Sequence, residues 1–131
     1  MDKKKILLID DEDDFCFFVK LNLERTGKYK IFTATDGMEG IRLAKKLKPD
    51  LIFLDIVMPN MDGGRVAEIL LEDESTSTIP FVFVTAMIKQ SDLGGHAGRI
   101  GGRDFIAKPV KPEALIEKIK QYYPARRPRY V

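Results

Sequence analysis

The chain of 131 residues has no tryptophan, one cysteine and one histidine, and its charges nearly cancel at +2. A lone cysteine, Cys16, excludes an internal disulfide. A lone histidine, His96, has no companions for an imidazole or thiolate metal site and reads as a loop residue. The near-balanced charge argues against bulk electrostatic binding to nucleic acid or to an anionic membrane. No apolar run approaches the roughly 18 residues of a membrane-spanning helix. The opening "MDKKKILLID" holds four consecutive apolar residues, short of the roughly 7–15 of a secretory signal. A cytoplasmic protein is expected. There is no G-x-G-x-x-G, and no glycine-rich loop runs into Lys-Ser or Lys-Thr, so neither common nucleotide-binding loop is present.

What is there is ordinary globular composition, 44% hydrophobic and 32% charged, at the length of one domain. Two periods alternate along it. Lys4 to Ile9 reads as a buried strand, followed by the acidic "DDEDD" and a helix over about Phe15 to Thr26, closed by Gly27. Lys30 to Ala34 alternate as a second strand. "TDGMEGIRLAKKLKPD" gives a second helix, stopped by Pro49. Leu51 to Leu54 are continuously apolar, as in a strand buried on both faces. "GGRVAEILLEDEST" is a third helix, "IPFVFVTA" a fourth strand and "RDFIAKPV" a fifth, and "PEALIEKIKQYY" closes as an amphipathic helix. Strands alternating with helices predict an α/β, doubly wound, five-stranded parallel sheet with helices on both faces. A further helix is due between Thr85 and Phe105, but Gly94, Gly95 and Gly98 would lie inside it. Each costs about 1 kcal/mol relative to alanine, so this element is expected to be short or irregular.

In such a sheet, ligands bind beyond the carboxyl ends of the strands. The first strand ends in Asp10 and Asp11, the third in Asp55, the fourth in Thr85 and the fifth in Lys108. If the first and third strands are neighbours, three carboxylates converge. At about 5 Å and an effective dielectric near 20, each like-charge pair costs roughly 3 kcal/mol, which a domain of ordinary stability cannot carry unaided. A cation must sit there: Lys108, a bound metal, or both. Oxygen-only ligands suit a hard ion, and so few carboxylates favour Mg²⁺ over a Ca²⁺ cage. A carboxylate nucleophile, Asp55, beside Mg²⁺, the Thr85 hydroxyl and the Lys108 ammonium is equipped to form an aspartyl phosphate.

These residues together resemble the receiver domain of two-component response regulators. "KILLIDDE" is similar to that family's first strand and acidic pair, "LIFLDIVMPNMDGG" to its phosphoacceptor stretch, "FVFVTA" to its threonine strand and "FIAKP" to its lysine-proline, over about residues 3 to 122. The resemblance implies a flavodoxin-like strand order of 2-1-3-4-5. It implies that Asp55 accepts phosphate from a phosphohistidine on a histidine kinase or histidine phosphotransfer protein. It further implies that Asp10, Asp11, Asp55 and the backbone carbonyl of Val57 hold Mg²⁺, that Thr85 and Lys108 contact the phosphoryl group, and that Phe105 is the aromatic switch residue. Val57 and Met87 stand where the family varies its reactivity. Both are apolar, and slow loss of phosphate is expected.

Each residue also has a plainer reading. Glu12, Asp13 and Asp14 read as acids favoured at a helix start, and Asp62 with Gly63 as turn and cap chemistry. Phe15, Phe17 and Phe18 are too many aromatics for one buried face, so one is expected to form an exposed apolar patch. Cys16 reads as a small filler. Residues 1–123 are expected to be the receiver and 124–131, "PARRPRYV", a flexible basic tail. The functional expectation is a stand-alone signalling switch, not a conventional enzyme, that acts by changing its affinity for a downstream protein. The alternative is a receiver-like interaction module that never uses its phosphate site. An aspartate-nucleophile phosphatase is disfavoured, because Val57 stands where such enzymes carry a second acid.

Overall fold

The computed structural model describes residues 3–86, 99–100 and 103–124. The expected irregular helix, with Met87 and His96, and the basic tail from residue 125 onward lie outside the described residues.

Six strands and four helices are seen among the described residues: β1 (Lys4–Ile9), α1 (Asp13–Glu24), β2 (Tyr29–Ala34), α2 (Gly37–Leu47), β3 (Leu51–Leu54), α3 (Gly63–Glu72), β4 (Phe81–Thr85), β5 (Arg99–Ile100), β6 (Arg103–Ala107) and α4 (Pro112–Tyr122). The sheet runs β2-β1-β3-β4-β6-β5. Its first five members pair in parallel, in the 2-1-3-4-5 order expected. The two-residue β5, antiparallel to β6, is an addition that the sequence reading did not foresee.

The three central strands explain themselves by composition. Ile6 to Ile9, Leu51 to Leu54 and Phe81 to Val84 are buried throughout, as a parallel sheet covered on both faces requires. Alternation divides them between two cores. Ile6, Leu8, Leu51, Phe53, Val82 and Val84 pack with Val19 and Leu23 of α1 and Leu115 and Ile119 of α4. Leu7, Ile9, Ile52, Leu54, Phe81 and Phe83 pack with Ile41 and Ala44 of α2 and Val66 and Leu70 of α3.

Helix ends follow local chemistry. The Asp36 side chain accepts from the Glu39 N–H at 2.8 Å to start α2, and Asp62 accepts from the Arg65 N–H at 2.9 Å to start α3. Helix α1 begins and ends two residues earlier than expected, with Asp13 and Asp14 in its first turn. Gly27, at φ 78°, still turns the chain toward β2, a conformation natural for glycine. Of the three phenylalanines, Phe15 packs against the core, while both Phe17 and Phe18 are exposed beside Leu21. The exposed patch is therefore larger than one residue.

Candidate functional site

Strand register assembles the site. Ile9 pairs with Leu54, so the next residues, Asp10 and Asp55, emerge side by side. The Asp55 N–H donates to the Ile9 carbonyl at 2.9 Å, and the Lys108 N–H donates to the Thr85 carbonyl at 3.0 Å. Asp10, Asp55, Thr85 and Lys108 thus stand at adjacent strand ends. Asp10, Asp55 and Thr85 are buried, and Asp11 follows in the loop. An open cleft of about 300 Å³ lies above them, lined by Asp11, Glu12, Asp55, Val57, Thr85, Ala86 and Lys108.

The three carboxylates Asp10, Asp11 and Asp55 offer oxygens that all lie within 4.8 Å of one another. Burial, and then the Asp10 charge, push the Asp55 carboxyl up to about 6. Asp10 is also raised, by burial, against the Lys108 ammonium and the Glu12 N–H that favour its ionised form. Lys108 is the compensating charge. Its Nζ lies 2.7 Å from Asp10 Oδ2 and 3.8 Å from Asp55 Oδ2. Against the cost of its own burial, Asp10 and Glu12 hold Lys108 charged well above the usual lysine range.

Each oxygen of Asp10 has its own contact. Its Oδ1 accepts from the Glu12 N–H at 2.9 Å. Its buried Oδ2 has the Lys108 ammonium as its contact, at 2.7 Å. Three carboxylates whose oxygens lie within 4.8 Å of one another are the all-oxygen donor set that a hard divalent ion prefers. The donor set fits Mg²⁺.

The segment after β3 is shaped for close approach. The Gly63 N–H donates to the Ile56 carbonyl at 2.7 Å. A β-carbon on Gly63 would overlap the Asp55 carbonyl oxygen and come within 2.8 Å of the Ile56 α-carbon. The glycine of "MDGG" thus lets the start of α3 close over the segment that carries Asp55. Val57, in the same segment, is half exposed. Phe105 is half-buried on β6, opposite Phe83 in register and packed against the second core.

Glu12 does more than an acid at a helix start. Glu12 stands at the N-cap position of α1, but its side chain makes no cap hydrogen bond. It accepts instead from Lys108 Nζ at 2.7 Å, across 96 positions of sequence. An acid in an acidic run before a helix carries no local signal for this. Only the fold reveals it. Asp13 and Asp14, by contrast, occupy the first turn as expected.

Comparisons with known proteins agree with this geometry. The family model for the response regulator receiver domain matches residues 6–120. The chain is 35% identical over 116 residues to protein PilH of Pseudomonas aeruginosa, covering 88% of this chain and 93% of PilH. It is 37% identical over 117 residues to the DNA-binding dual master transcriptional regulator RpaA of Synechocystis, covering 88% of this chain but 47% of RpaA. The chain thus spans about half the length of that regulator. Among solved structures, the chemotaxis protein CheY4 of Vibrio cholerae superposes with a TM-score of 0.79 at 25% identity, covering 92% of this chain and 99% of that one. The receiver domain of the sensor histidine kinase PA1611 of Pseudomonas aeruginosa, solved with a magnesium ion in its active-site cleft, gives 0.79 at 25% identity, covering 92% of this chain and 98% of that one.

Proposed function

The chain belongs to the response regulator receiver domain family, and from that premise we propose that it is a phosphoacceptor switch, phosphorylated on Asp55, whose phosphorylation changes its affinity for a partner protein. The observation that carries this reading is the convergence of Asp10, Asp11 and Asp55 within 4.8 Å, with Lys108 and Thr85 on adjacent strand ends. Receiver domains are signalling modules and not conventional enzymes. No helix among the described residues is long and apolar enough to cross a membrane.

The chemistry follows from the side chains. Asp55, whose carboxyl is held near 6, is mostly ionised at neutral pH and is a competent nucleophile. Its carboxylate oxygen forms a bond to phosphorus while the bond from phosphorus to a donor imidazole nitrogen breaks, and the departing imidazole takes a proton from solvent. Lys108, 3.8 Å from Asp55, is near enough to move onto the transferring oxygens. Thr85, buried beside Asp55, would donate its hydroxyl to one of them. Asp10, Asp11, Asp55 and the Val57 carbonyl would hold Mg²⁺, which supplies charge neutralisation when bound. Phe105 would repack when Thr85 turns toward the phosphoryl group, and with no hydroxyl on its ring, packing alone drives that move. The apolar Val57 offers no group to orient an attacking water, so the aspartyl phosphate should be long-lived.

The donor would be a histidine kinase or histidine phosphotransfer protein and the reader a downstream protein, both in the cytoplasm. The receiver would occupy residues 1–123, with 124–131 as a basic tail. Incubating the protein with acetyl phosphate, with and without Mg²⁺, and recording its intact mass tests the proposal. One Mg²⁺-dependent phosphoryl adduct, absent from Asp55→Asn, is expected. No adduct from acetyl phosphate or from any histidine-phosphorylated donor would favour the interaction-module alternative.

A further inference from the structure

Lys108 is the group that must reach the phosphoryl oxygens, yet its ammonium is held toward another wall of the cleft. Three contacts hold it, all from the β1–α1 junction. Glu12 Oε1 accepts a hydrogen bond from Nζ at 2.7 Å, and Asp10 Oδ2 lies at 2.7 Å. The Phe15 ring lies beneath the ammonium at 4.6 Å, within cation–π range. Asp55 is the outlier, at 3.8 Å.

These contacts differ in kind. Asp10 is fully buried and its charge belongs to the acidic cluster itself. Glu12 has a side chain 62% exposed, while the lysine it grips is only 12% exposed. Its carboxylate is an accessory acid, reaching in from the helix start to accept a hydrogen bond from the same ammonium that Asp10 holds.

We propose that Glu12 is a positioning residue of the phosphoacceptor site, a latch that keeps the Lys108 ammonium on the β1–α1 side of the cleft until phosphoryl oxygens draw it across. The inference rests on the reading of Asp55 as phosphoacceptor and adds to it a regulatory element belonging to this chain's own sequence. Because the Glu12 contact is made before transfer and given up during it, it stabilises the starting state selectively. Releasing the latch lowers the cost of moving Lys108 and speeds phosphorylation. An interaction stronger in the ground state than in the transition state slows a reaction, and removing it has the opposite effect.

Two substitutions separate the latch from a plain charge effect. Glu12→Gln removes the charge. Glu12→Asp keeps the charge but draws it back by one methylene from a 2.7 Å contact. A field effect of Glu12 on an anionic phosphodonor changes with Gln only, whereas a latch is released by both. The first readout is nuclear magnetic resonance of the Lys108 side-chain ammonium in metal-free, unphosphorylated protein. A tightly restrained ammonium in the parent protein and a more mobile one in both variants, still held by Asp10 and Phe15, is expected. The second is the phosphorylation rate with acetyl phosphate and Mg²⁺, expected to rise about two- to fivefold in both variants. An ammonium as mobile in the parent as an exposed lysine, a rate change confined to Gln, or no rate change in either variant overturns the latch. If the parent takes no phosphate while the ammonium is restrained through Glu12, the phosphoacceptor reading has failed and the positioning role with it. The contact would then be structural only.

Discussion

Gly63 faces the backbone carbonyl of Asp55 so closely that a β-carbon on it would overlap the carbonyl oxygen. The start of α3 can thereby close on the segment that carries the candidate phosphoacceptor, and a residue with no functional group becomes part of the site's construction.

Gly63→Ala must therefore displace backbone, not a pliable side chain. Overpacking of this kind costs about 1–3 kcal/mol, and the shift falls on the segment carrying Asp55. Urea unfolding should show that loss, together with weaker phosphorylation. The neighbouring Gly64→Ala is the control. Its β-carbon would meet only the capping Asp62 Oδ1, at 3.2 Å, a side-chain atom that can give by a few tenths of an ångström, and helix propensity favours the change. Equal losses at both positions would remove the special status of Gly63.

A second prediction concerns Asp55 itself. Its carboxyl is pushed up to about 6 from 3.8, by burial and then by Asp10, so the folded metal-free protein holds this proton more tightly than the unfolded chain. The stabilisation is full below about pH 4 and is lost as pH rises through about 6. A shift of this size corresponds to roughly 3 kcal/mol at most. Asp55→Asn escapes that loss. In chelator-treated protein it should be more stable than the parent at pH 7.5, with the gap closing toward pH 4. A constant gap across that range would mean that Asp55 ionises without strain.

Much of this was legible from the sequence, for identifiable reasons. Continuous apolar runs such as Leu51 to Leu54, too short for a helix, read as strands covered on both faces. Once the strands are placed in a parallel sheet, Asp10, Asp55, Thr85 and Lys108 fall at the strand ends by counting. The reading failed where a contact depends on distance across the fold. Glu12 looked like another helix-start acid because its partner is 96 residues away. The requirement for glycine at position 63 was likewise read as turn chemistry, since nothing local reveals that a backbone carbonyl lies where a β-carbon would go. The two-residue β5 is too short for any periodicity to mark it.

Magnesium should bind in competition with protons. The Asp55 and Asp10 carboxyls are both raised, so both must be ionised for the oxygens to act as ligands. Affinity measured by calorimetry should rise with pH through about 6 and level off above it. At ten times the dissociation constant the ion should add about 1.4 kcal/mol of stability. Asp10→Asn and Asp55→Asn should each weaken binding. Equal affinity at pH 5 and pH 7.5 would place the ion elsewhere.

Lys108→Met gives the most direct measure of the site's electrostatics. Among the described residues, Lys108 is the cation seen within 4 Å of Asp10 and Asp55. Removing one partner of a buried ion pair typically costs about 3–5 kcal/mol, because it strands the remaining charge. Here the stranded groups have an escape: both carboxyls are already raised and can take up protons. The loss should therefore be nearer 2–4 kcal/mol at pH 7.5 in metal-free protein, and smaller at pH 5, where protonation does part of what Lys108 did. Mg²⁺ should restore part of the loss at pH 7.5 and little of it at pH 5. Urea unfolding at the two pH values, with and without the ion, gives all four numbers. A variant as stable as the parent at pH 7.5 without metal would show that the carboxylates are not strained by one another, and the argument for a cation at this site would lose its energetic basis.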